Sequence, residues 1–572
     1  MAWLRRMAAP RTAGPLNGFL SSVQPQRQPA PAPTISAAAA QDLERARLLS
    51  RSGRGAEAEQ AYRALLAREP RCAQAAAGLA RLLTASGRAA EGEAIIRPFA
   101  EQQAIWPEAL SARAAALKAM GRKAESLADY RLAARFNPTS GVAAHNVASG
   151  LGDAGEDEEA AAEAERAFRL GVDAPETWLV YGRALQGLRR FEEAERAFRA
   201  ALARRPFYLD ALRDLCQLVW MRTGEAATAL QPLEAALGAA TGQPAIAAAL
   251  SALKVRVLNH LLGEEAALAF AEEALRRAPG DPRLALETAV LSLTSRPERS
   301  LELCAAVLAR HPQDASARRA MTHACLALGD NVQAAVIAEE LLDRDRFDQE
   351  AAAALATAWR AAGDERYRQL WDYSTLVRAQ TIETPKGWSG LAGYLEELAA
   401  ALAELHALRA HPLDQSLRGG TQTSQNLLLS KNPAIAAFFE AIEGPIQAYR
   451  AGLGQGPDIF RARNGGGHRI LGAWSVRLRP GGFHVDHIHP QGWISSACYI
   501  EVPSSVGAGD DRAGWLRFGA PSIPTRPALD PEHFVRPEPG LLALFPSYMW
   551  HGTVPFGGEE PRVTIAFDLV PD

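Results

Sequence analysis

Histidine placement is the strongest chemical signal in this sequence. Six of the 12 histidines lie between residue 468 and residue 572, and the segment HVDHIH holds three of them, His484, His487 and His489. A further histidine, His551, ends the segment LFPSYMWH. Imidazole and carboxylate groups suit Fe(II), and two ligands from one strand plus a distal histidine leave coordination positions open for other molecules.

Strand geometry offers two candidate ligand pairs in HVDHIH. Side chains at i and i+2 share one face, so His484 pairs with Asp486 and His487 pairs with His489. The two pairs face opposite ways on a regular strand, so only one should face a barrel interior with His551. Both could contribute ligands only if a bulge or a bend intervened.

A cation and a hydroxyl follow in the segment RVTIAF. Arg562 stands eleven residues after His551, on a strand that we expect beside the one bearing that histidine. A guanidinium fork there can pair bidentately with a ligand carboxylate. Thr564 lies two residues on, faces the same way and can add a hydroxyl.

Short β-strands must position these side chains. From about residue 458 apolar alternations are separated by Gly, Pro and Asn, which favours a barrel or jelly roll over residues 458–572. Alternation also predicts that Trp474 and Cys498 are core residues, whereas Trp493 and Trp515 could instead line a pocket. The candidate strands are ILGAWSVRLRP, WISSACYIEVP, GWLRFGAP, GLLALFP and RVTIAFDLVP.

Residues 41–365 predict a different architecture, an all-α repeat solenoid. Helix ends at Pro70, Pro138 and Pro206 are 68 residues apart, which is twice the length of a helical-hairpin repeat of about 34 residues. About eight to nine hairpins fit the span, and the 73-residue step from Pro206 to Pro279 predicts one irregular hairpin. Residues 1–40 predict a disordered Pro/Ala-rich tail, and residues 366–457 a helical lead-in.

Composition narrows the possible partners. A net charge of −3 and a pI near 6.5 provide no basic field for nucleic acid or anionic membrane. The five cysteines include no CxxC pair, so neither a disulfide framework nor a thiolate zinc site is predicted. No run approaches 18 apolar residues. We therefore expect a cytoplasmic protein that binds neither nucleic acid nor membrane.

These patterns resemble two known families. The array over residues 41–365 resembles tetratricopeptide repeats, which implies a protein or peptide partner. Residues 405–572 resemble a 2-oxoglutarate and Fe(II)-dependent oxygenase family of the prolyl-hydroxylase-like superfamily, whose fold is a double-stranded β-helix (jelly roll). The matching elements are HIHP (487–490), SACY (496–499), LFPSYMWH (544–551), RVTIAF (562–567) and the upstream QSLRGGTQT.

The resemblance implies a metal-ligand set. His487 and His551 would bind Fe(II), and His489 would be the third ligand in the HxHP frame. The wider superfamily usually supplies a carboxylate two residues after its first histidine. The pair His484 and Asp486 therefore stays an alternative.

The resemblance also implies cosubstrate contacts and an activity. Arg562 would bind the far carboxylate of 2-oxoglutarate, with Tyr499 and Thr564 nearby. The implied activity is that of a dioxygenase that uses O2 to hydroxylate a protein or peptide recruited by the repeats. Two alternatives remain: a non-catalytic adaptor with a degenerate barrel, and a cupin-like metal enzyme that does not use 2-oxoglutarate. The cupin pattern requires a glutamate where Trp493 or Ile494 stands.

Overall fold

In the computed structural model, the described part of the chain begins within the predicted tail. Helix α1 starts at Ala37, because the Ser36 hydroxyl accepts a hydrogen bond from the Ala39 amide at 3.1 Å and caps the first turn. Residues 37–40 are therefore helical, and the rest of the predicted tail, residues 1–34, lies outside the described residues. The structure describes residues 35–102, 106–506 and 511–572.

The chain divides into two compact units, and the described residues of the first are 35–102 and 106–204. Five helical hairpins make up this unit. A Cβ at Gly78 would lie 2.6 Å from the Tyr62 ring, and one at Gly182 would lie 2.7 Å from the Phe198 ring, so glycine lets paired helices approach closely. The helices are α1 Ala37–Arg51, α2 Gly55–Arg68, α3 Ala73–Ala85, α4 Ala89–Ala100, α5 Pro107–Ala119, α6 Lys123–Phe136, α7 Gly141–Ala154, α8 Asp157–Arg169, α9 Pro175–Gly187 and α10 Phe191–Arg204.

The second unit, residues 205–572, opens with four more hairpins and a single helix. Helix α13 has 19 residues, whereas the helices on either side have 14, which accounts for the irregular spacing in the sequence. The helices are α11 Leu209–Thr223, α12 Ala226–Ala239, α13 Pro244–Leu262, α14 Glu264–Arg277, α15 Pro282–Leu291, α16 Pro297–Arg310, α17 Ala315–Leu328, α18 Asn331–Arg344 and α19 Gln349–Ala361.

Helix α13 is also the one helix among the described residues that is long and apolar enough to cross a membrane, with a mean hydropathy of 1.4. It packs against α12, α14 and α15 as a member of the array. Core helices of soluble proteins have the same length and composition, so this property alone is weak evidence for a membrane span.

The remaining residues form short helices and two antiparallel sheets. The larger sheet has the strand order β1-β7-β4-β9-β3-β2, and the smaller has the order β6-β5-β8. The helices are α20 Tyr367–Leu370, α21 Tyr373–Leu376, α22 Leu391–Ala403, α23 Pro433–Ala441 and α24 Glu443–Leu453. The strands are β1 Arg378–Thr381, β2 Leu417–Gln422, β3 His468–His484, β4 Ile494–Glu501, β5 Leu516–Phe518, β6 His533–Val535, β7 Leu541–Pro546, β8 His551–Thr553 and β9 Arg562–Pro571.

This arrangement confirms the predicted order of a helical repeat array followed by a sheet region consistent with a jelly-roll barrel, although the strands of the described residues do not form a closed barrel. The predicted lead-in, residues 366–457, is not only helical, because it contributes both edge strands, β1 and β2, to the larger sheet.

One predicted strand neighbour is wrong. Strand β9, which bears Arg562, lies between β3 and β4 in the larger sheet, whereas β8, which bears His551, pairs with β5 in the smaller sheet. The reason is that residues 554–561 carry the chain from one sheet to the other instead of closing a hairpin.

The last repeat helix and the sheets share one hydrophobic core. Ala352 and Ala356 of α19 belong to the same buried cluster as Phe545 of β7. Between them, the Trp550 indole donates a hydrogen bond to the Thr357 hydroxyl at 3.0 Å. The compact unit therefore extends across the predicted boundary at residue 365.

We predict that a fragment of residues 366–572 will not fold cooperatively, whereas residues 205–572 will. Removing α19 exposes the apolar surface that its alanines cover, and each Å² of exposed apolar surface costs about 25 cal/mol. Thermal unfolding followed by circular dichroism and dye binding would test this. A sharp transition of the shorter fragment at the same temperature would contradict the shared core.

Candidate metal centre

Backbone pairing brings His487 and His551 together. The His487 amide donates to the His551 carbonyl at 2.9 Å, and the His551 amide donates back at 3.0 Å. The imidazole ring centroids are consequently 4.2 Å apart. The segment after His484 leaves the regular strand, so the strict alternation expected from the sequence no longer governs which side chains face inward.

His489 completes a cluster of three imidazoles. Its amide donates to the Ser547 carbonyl at 2.9 Å, which holds the extended segment beside the turn before β8. One ring nitrogen from each of His487, His489 and His551 lies within 4.8 Å of the others, and the Nε2 atoms of His487 and His489 are 3.2 Å apart. Two nitrogens at about 2.0–2.1 Å from one metal and at right angles to each other are about 3 Å apart.

The other nitrogen of each ring fixes its tautomer. Nδ1 of His487 lies 2.8 Å from the Val485 carbonyl, and Nδ1 of His551 lies 2.9 Å from the Met549 carbonyl. A carbonyl can only accept, so both Nδ1 atoms carry the proton and both Nε2 atoms have a free lone pair. Ligating histidines are oriented in this way at metal sites.

Burial keeps the imidazoles of His487 and His551 neutral. It lowers the pKa of His487 to about 3, and the positive charge that a protonated His489 would carry acts in the same direction. Burial also places the pKa of His551 well below its usual range, with His487 and His489 contributing. Neutral imidazole is the form that binds metal, so His487 and His551 are competent ligands at neutral pH.

The alternative pair lies apart from this cluster. The Asp486 carboxylate accepts two hydrogen bonds from the Arg517 guanidinium, at 3.0 and 2.5 Å. Burial raises the Asp486 pKa, and Arg517 opposes that shift. A Cβ at Gly552 would lie 2.5 Å from Asp486 Oδ1, so the glycine after His551 makes room for this ion pair.

His484 lies next to the cluster without joining it. The Ser416 hydroxyl lies 2.9 Å from His484 Nδ1 and 3.2 Å from His487 Nε2. The two histidine rings stack with centroids 5.9 Å apart. His484 therefore contributes a wall of the cavity beside the three imidazoles.

A cavity of about 610 Å³ contains the imidazole cluster and the predicted cosubstrate residues. Thr564 of β9 is the cross-strand partner of Tyr499 on β4, so both side chains share the face that lines the cavity. Arg562, two residues before Thr564, lies on the same face. The structure thus brings together all three residues that the sequence suggested for 2-oxoglutarate.

Among the described residues, two of the buried donors in this cavity belong to the predicted cosubstrate residues and lack acceptors. Arg562 is 2% exposed and donates from Nη1 to the Gly514 carbonyl at 2.6 Å, but its Nε has no acceptor in the described part of the chain. The Tyr499 hydroxyl is also unpartnered, and burial raises its pKa to about 12, so the proton stays available for donation. Unpaired buried donors are costly, and an anionic ligand would satisfy both. The residues present therefore fit a carboxylate group.

Several cavity residues were missed by the sequence analysis. Gln422 is 3% exposed, with an unpartnered Nε2. It stands in one cross-strand row with Val476 and Thr564, and its only sequence signal was its place in QSLRGGTQT. Arg256 of α13 and Glu350 of α19 also line the cavity, and no local pattern marked them.

The tryptophan that lines the cavity is Trp474, which we expected in the core, and not Trp493 or Trp515. Trp474 packs in the core with Val476, as predicted, but it also lines the cavity and stacks on His489 with centroids 6.0 Å apart. Trp493 is a core residue that donates to the Phe460 carbonyl, and neither it nor Trp515 lines the cavity. Cys498 is fully buried, as expected for a packing residue.

Comparisons with known proteins agree with both parts of the chain. The family described as "Putative 2OG-Fe(II) oxygenase" matches residues 472–568, and a tetratricopeptide repeat family matches residues 43–104 and 179–244. The protein therefore carries tetratricopeptide repeats and a C-terminal domain of this oxygenase family. A search of curated proteins found no match.

Each of several similar solved structures matches less than half of this chain. A tetratricopeptide repeat protein from Parabacteroides merdae is 15% identical over 45% of this chain and 99% of its own, with a TM-score of 0.34. A Pseudomonas putida prolyl-4-hydroxylase is 19% identical over 36% of this chain and 97% of its own, with a TM-score of 0.25. The match to the APC/C hetero-tetramer Cut9-Hcn1 is 16% identical over 47% of this chain, spans only 52% of that chain, and has a TM-score of 0.31.

We predict that Asp486→Ala will destabilise the protein. It leaves the Arg517 guanidinium, which is only about a quarter exposed, without its carboxylate. Losing one partner of a partly buried charge pair should cost about 1–3 kcal/mol in the free energy of unfolding. Urea unfolding of the metal-free protein measures this, with the double variant Asp486→Ala/Arg517→Met as the control. A single variant as stable as wild type would contradict a structural role for the pair.

Proposed function

We propose that this protein is an Fe(II)- and 2-oxoglutarate-dependent oxygenase that hydroxylates a protein or peptide. The observation that carries the proposal is the content of one cavity. It holds three imidazoles whose ring nitrogens lie close together and, on the adjacent sheet face, a buried arginine and a buried tyrosine that each have a donor without an acceptor among the described residues.

The imidazoles of His487, His489 and His551 would hold the iron. They come from one segment and one neighbouring strand, and as three ligands they would leave coordination positions on the iron open for other molecules. When bound, Fe(II) with 2-oxoglutarate and O2 supplies the chemistry, in which a C–H bond becomes C–OH while 2-oxoglutarate becomes succinate and CO2.

Arg562 and Tyr499 would bind and orient 2-oxoglutarate. The Gly514 carbonyl accepts a hydrogen bond from Nη1 of the guanidinium, which fixes this side chain at the cavity wall. The Tyr499 hydroxyl donates to the same carboxylate, and Thr564 lies beside it in register. Because the site is buried, these charge-assisted bonds form with little competition from water.

The repeat array would present the substrate. Arg256 of α13 and Glu350 of α19 line the same cavity as the imidazoles, so a molecule entering it touches the array. Glu350 lies 3.3 Å from Arg319 of α17, and burial raises its pKa. Gln422 offers an unpartnered amide that suits a peptide group, which has both a donor and an acceptor.

We expect the full-length protein, given Fe(II), 2-oxoglutarate and O2, to form succinate. His551→Ala should lose at least about a hundredfold of that rate, because it removes one ligand of the iron. Arg562→Met should instead weaken 2-oxoglutarate binding and leave metal binding intact. His468→Gln is the matched control, since His468 lies outside the cavity.

Succinate release would be measured under air, and 2-oxoglutarate binding anaerobically. Equal succinate from wild type and His551→Ala would refute the oxygenase. Stable folding with neither metal binding nor succinate formation would favour a non-catalytic adaptor.

The role of the array makes a separate prediction. Glu350→Arg should reduce oxygen incorporation into extract proteins by about tenfold, because reversing a charge at the cavity wall disfavours the natural partner. Mass spectrometry would count peptides that gain one oxygen atom in an Arg562-dependent manner. Succinate formed without substrate should stay unchanged, and Glu298→Arg, on α16 and outside the cavity, is the control. Undiminished oxygen incorporation in Glu350→Arg would show that the substrate does not depend on the cavity wall at Glu350.

A further inference from the structure

A buried carboxylate lies behind the imidazole cluster. Asp568 on β9 is 2% exposed, and its Oδ2 lies 2.7 Å from Nδ1 of His489. Its Oδ1 accepts a hydrogen bond from the Ser495 hydroxyl at 2.7 Å, and Ser495 lies 2.9 Å from the Ser547 hydroxyl. Both carboxylate oxygens are therefore held in place, and one of them faces a ring of the cluster.

The negative charge of Asp568 has no fixed counterion. Among the described residues, this carboxylate forms an ion pair with His489 alone, and no lysine or arginine lies within ion-pairing distance of it. A buried carboxylate is costly unless a cation compensates it. The imidazole of His489 connects it to the point where the three ring nitrogens converge, and a metal ion there would supply the missing positive charge.

His489 is thereby distinguished from the other two imidazoles. Nδ1 of His487 and of His551 each faces a neutral backbone carbonyl, whereas Nδ1 of His489 faces a carboxylate. A carboxylate partner raises the basicity of a histidine ligand more than a carbonyl does. The three ligands are therefore not equivalent.

We propose that Asp568 is a positioning residue that supplies, through His489, the carboxylate that the three-imidazole ligand set lacks. The inference rests on the proposed metal centre. Asp568 fixes the proton of His489 on Nδ1, so Nε2 faces the metal with a lone pair, and it places one negative charge behind the ligand instead of on the metal.

This role makes the conservative substitution the more harmful one. In Asp568→Asn, the side-chain oxygen would keep the Ser495 hydrogen bond, so the amide NH2 would face His489 and donate to Nδ1. The imidazole proton would then move to Nε2, which points at the metal site, and the ligand would be lost. Asp568→Ala removes the carboxylate, but the imidazole of His489 can then carry its proton on either Nδ1 or Nε2, so the metal-binding tautomer stays available.

The test is Co(II) binding to the metal-free, full-length protein, followed by calorimetry and by the visible absorption of the bound ion. We expect Asp568→Ala to weaken binding about 10–100-fold, and Asp568→Asn to weaken it further. Asp458→Asn is the matched control, because Asp458 accepts backbone N–H bonds from Phe460 and Arg461 outside the cavity. Thermal unfolding of each metal-free variant separates loss of metal binding from loss of fold.

The outcomes distinguish this inference from the proposed centre. Wild-type affinity in Asp568→Asn, or a smaller loss in Asp568→Asn than in Asp568→Ala, would overturn the role of Asp568. Wild-type affinity in both His489→Ala and His551→Ala would instead overturn the metal centre itself. A misfolded Asp568→Asn leaves Asp568→Ala and Ser495→Ala to decide: if both bind Co(II) as wild type does, Asp568 has no role at the metal.

Discussion

The reciprocal backbone pairing of His487 with His551 is the contact on which the candidate site depends. Its two hydrogen bonds, at 2.9 and 3.0 Å, join the irregular segment after β3 to the first residue of β8. They set two imidazoles side by side before any side-chain interaction is considered. His489 then follows two residues along the same extended segment, so one backbone register delivers all three rings to one point.

Near that point, the described residues include two buried groups of opposite charge, and each of them lacks part of its expected partners. Among the described residues, Nε of the buried cation Arg562 has no acceptor, and the buried carboxylate of Asp568 pairs only with an imidazole. Neither group lies within hydrogen-bonding distance of the other in the described structure. A metal ion would compensate the charge of the carboxylate, and an organic anion would pair with the guanidinium. The cavity is therefore complementary to the metal ion and the anion together rather than to either alone.

The sequence predicted those parts that depend on local periodicity. The spacing of Pro70, Pro138 and Pro206 predicted the hairpin array. The spacing of the histidines left two candidate pairs open, and only the family resemblance of HIHP favoured His487 and His489. The sequence could not place β9 away from β8, because strand patterns do not specify which of two sheets a strand joins. Nor could the sequence show that Asp486 pairs with Arg517. It could not show either that Asp568 lies beside His489, because the partners in each pair are distant in sequence and meet only in the fold.

The shared core changes what the repeat array can do. If the array were a separate recruiting module, its surface could be exchanged without affecting the chemistry. Instead, α19 packs into the core of the sheet region through Ala352 and Ala356, while Glu350 on the same helix lines the cavity. A shift of α19 would therefore move both a cavity wall and the packing of Trp550, which directly precedes His551. The last repeat helix and the segment that bears His551 are consequently joined by one continuous set of packed contacts.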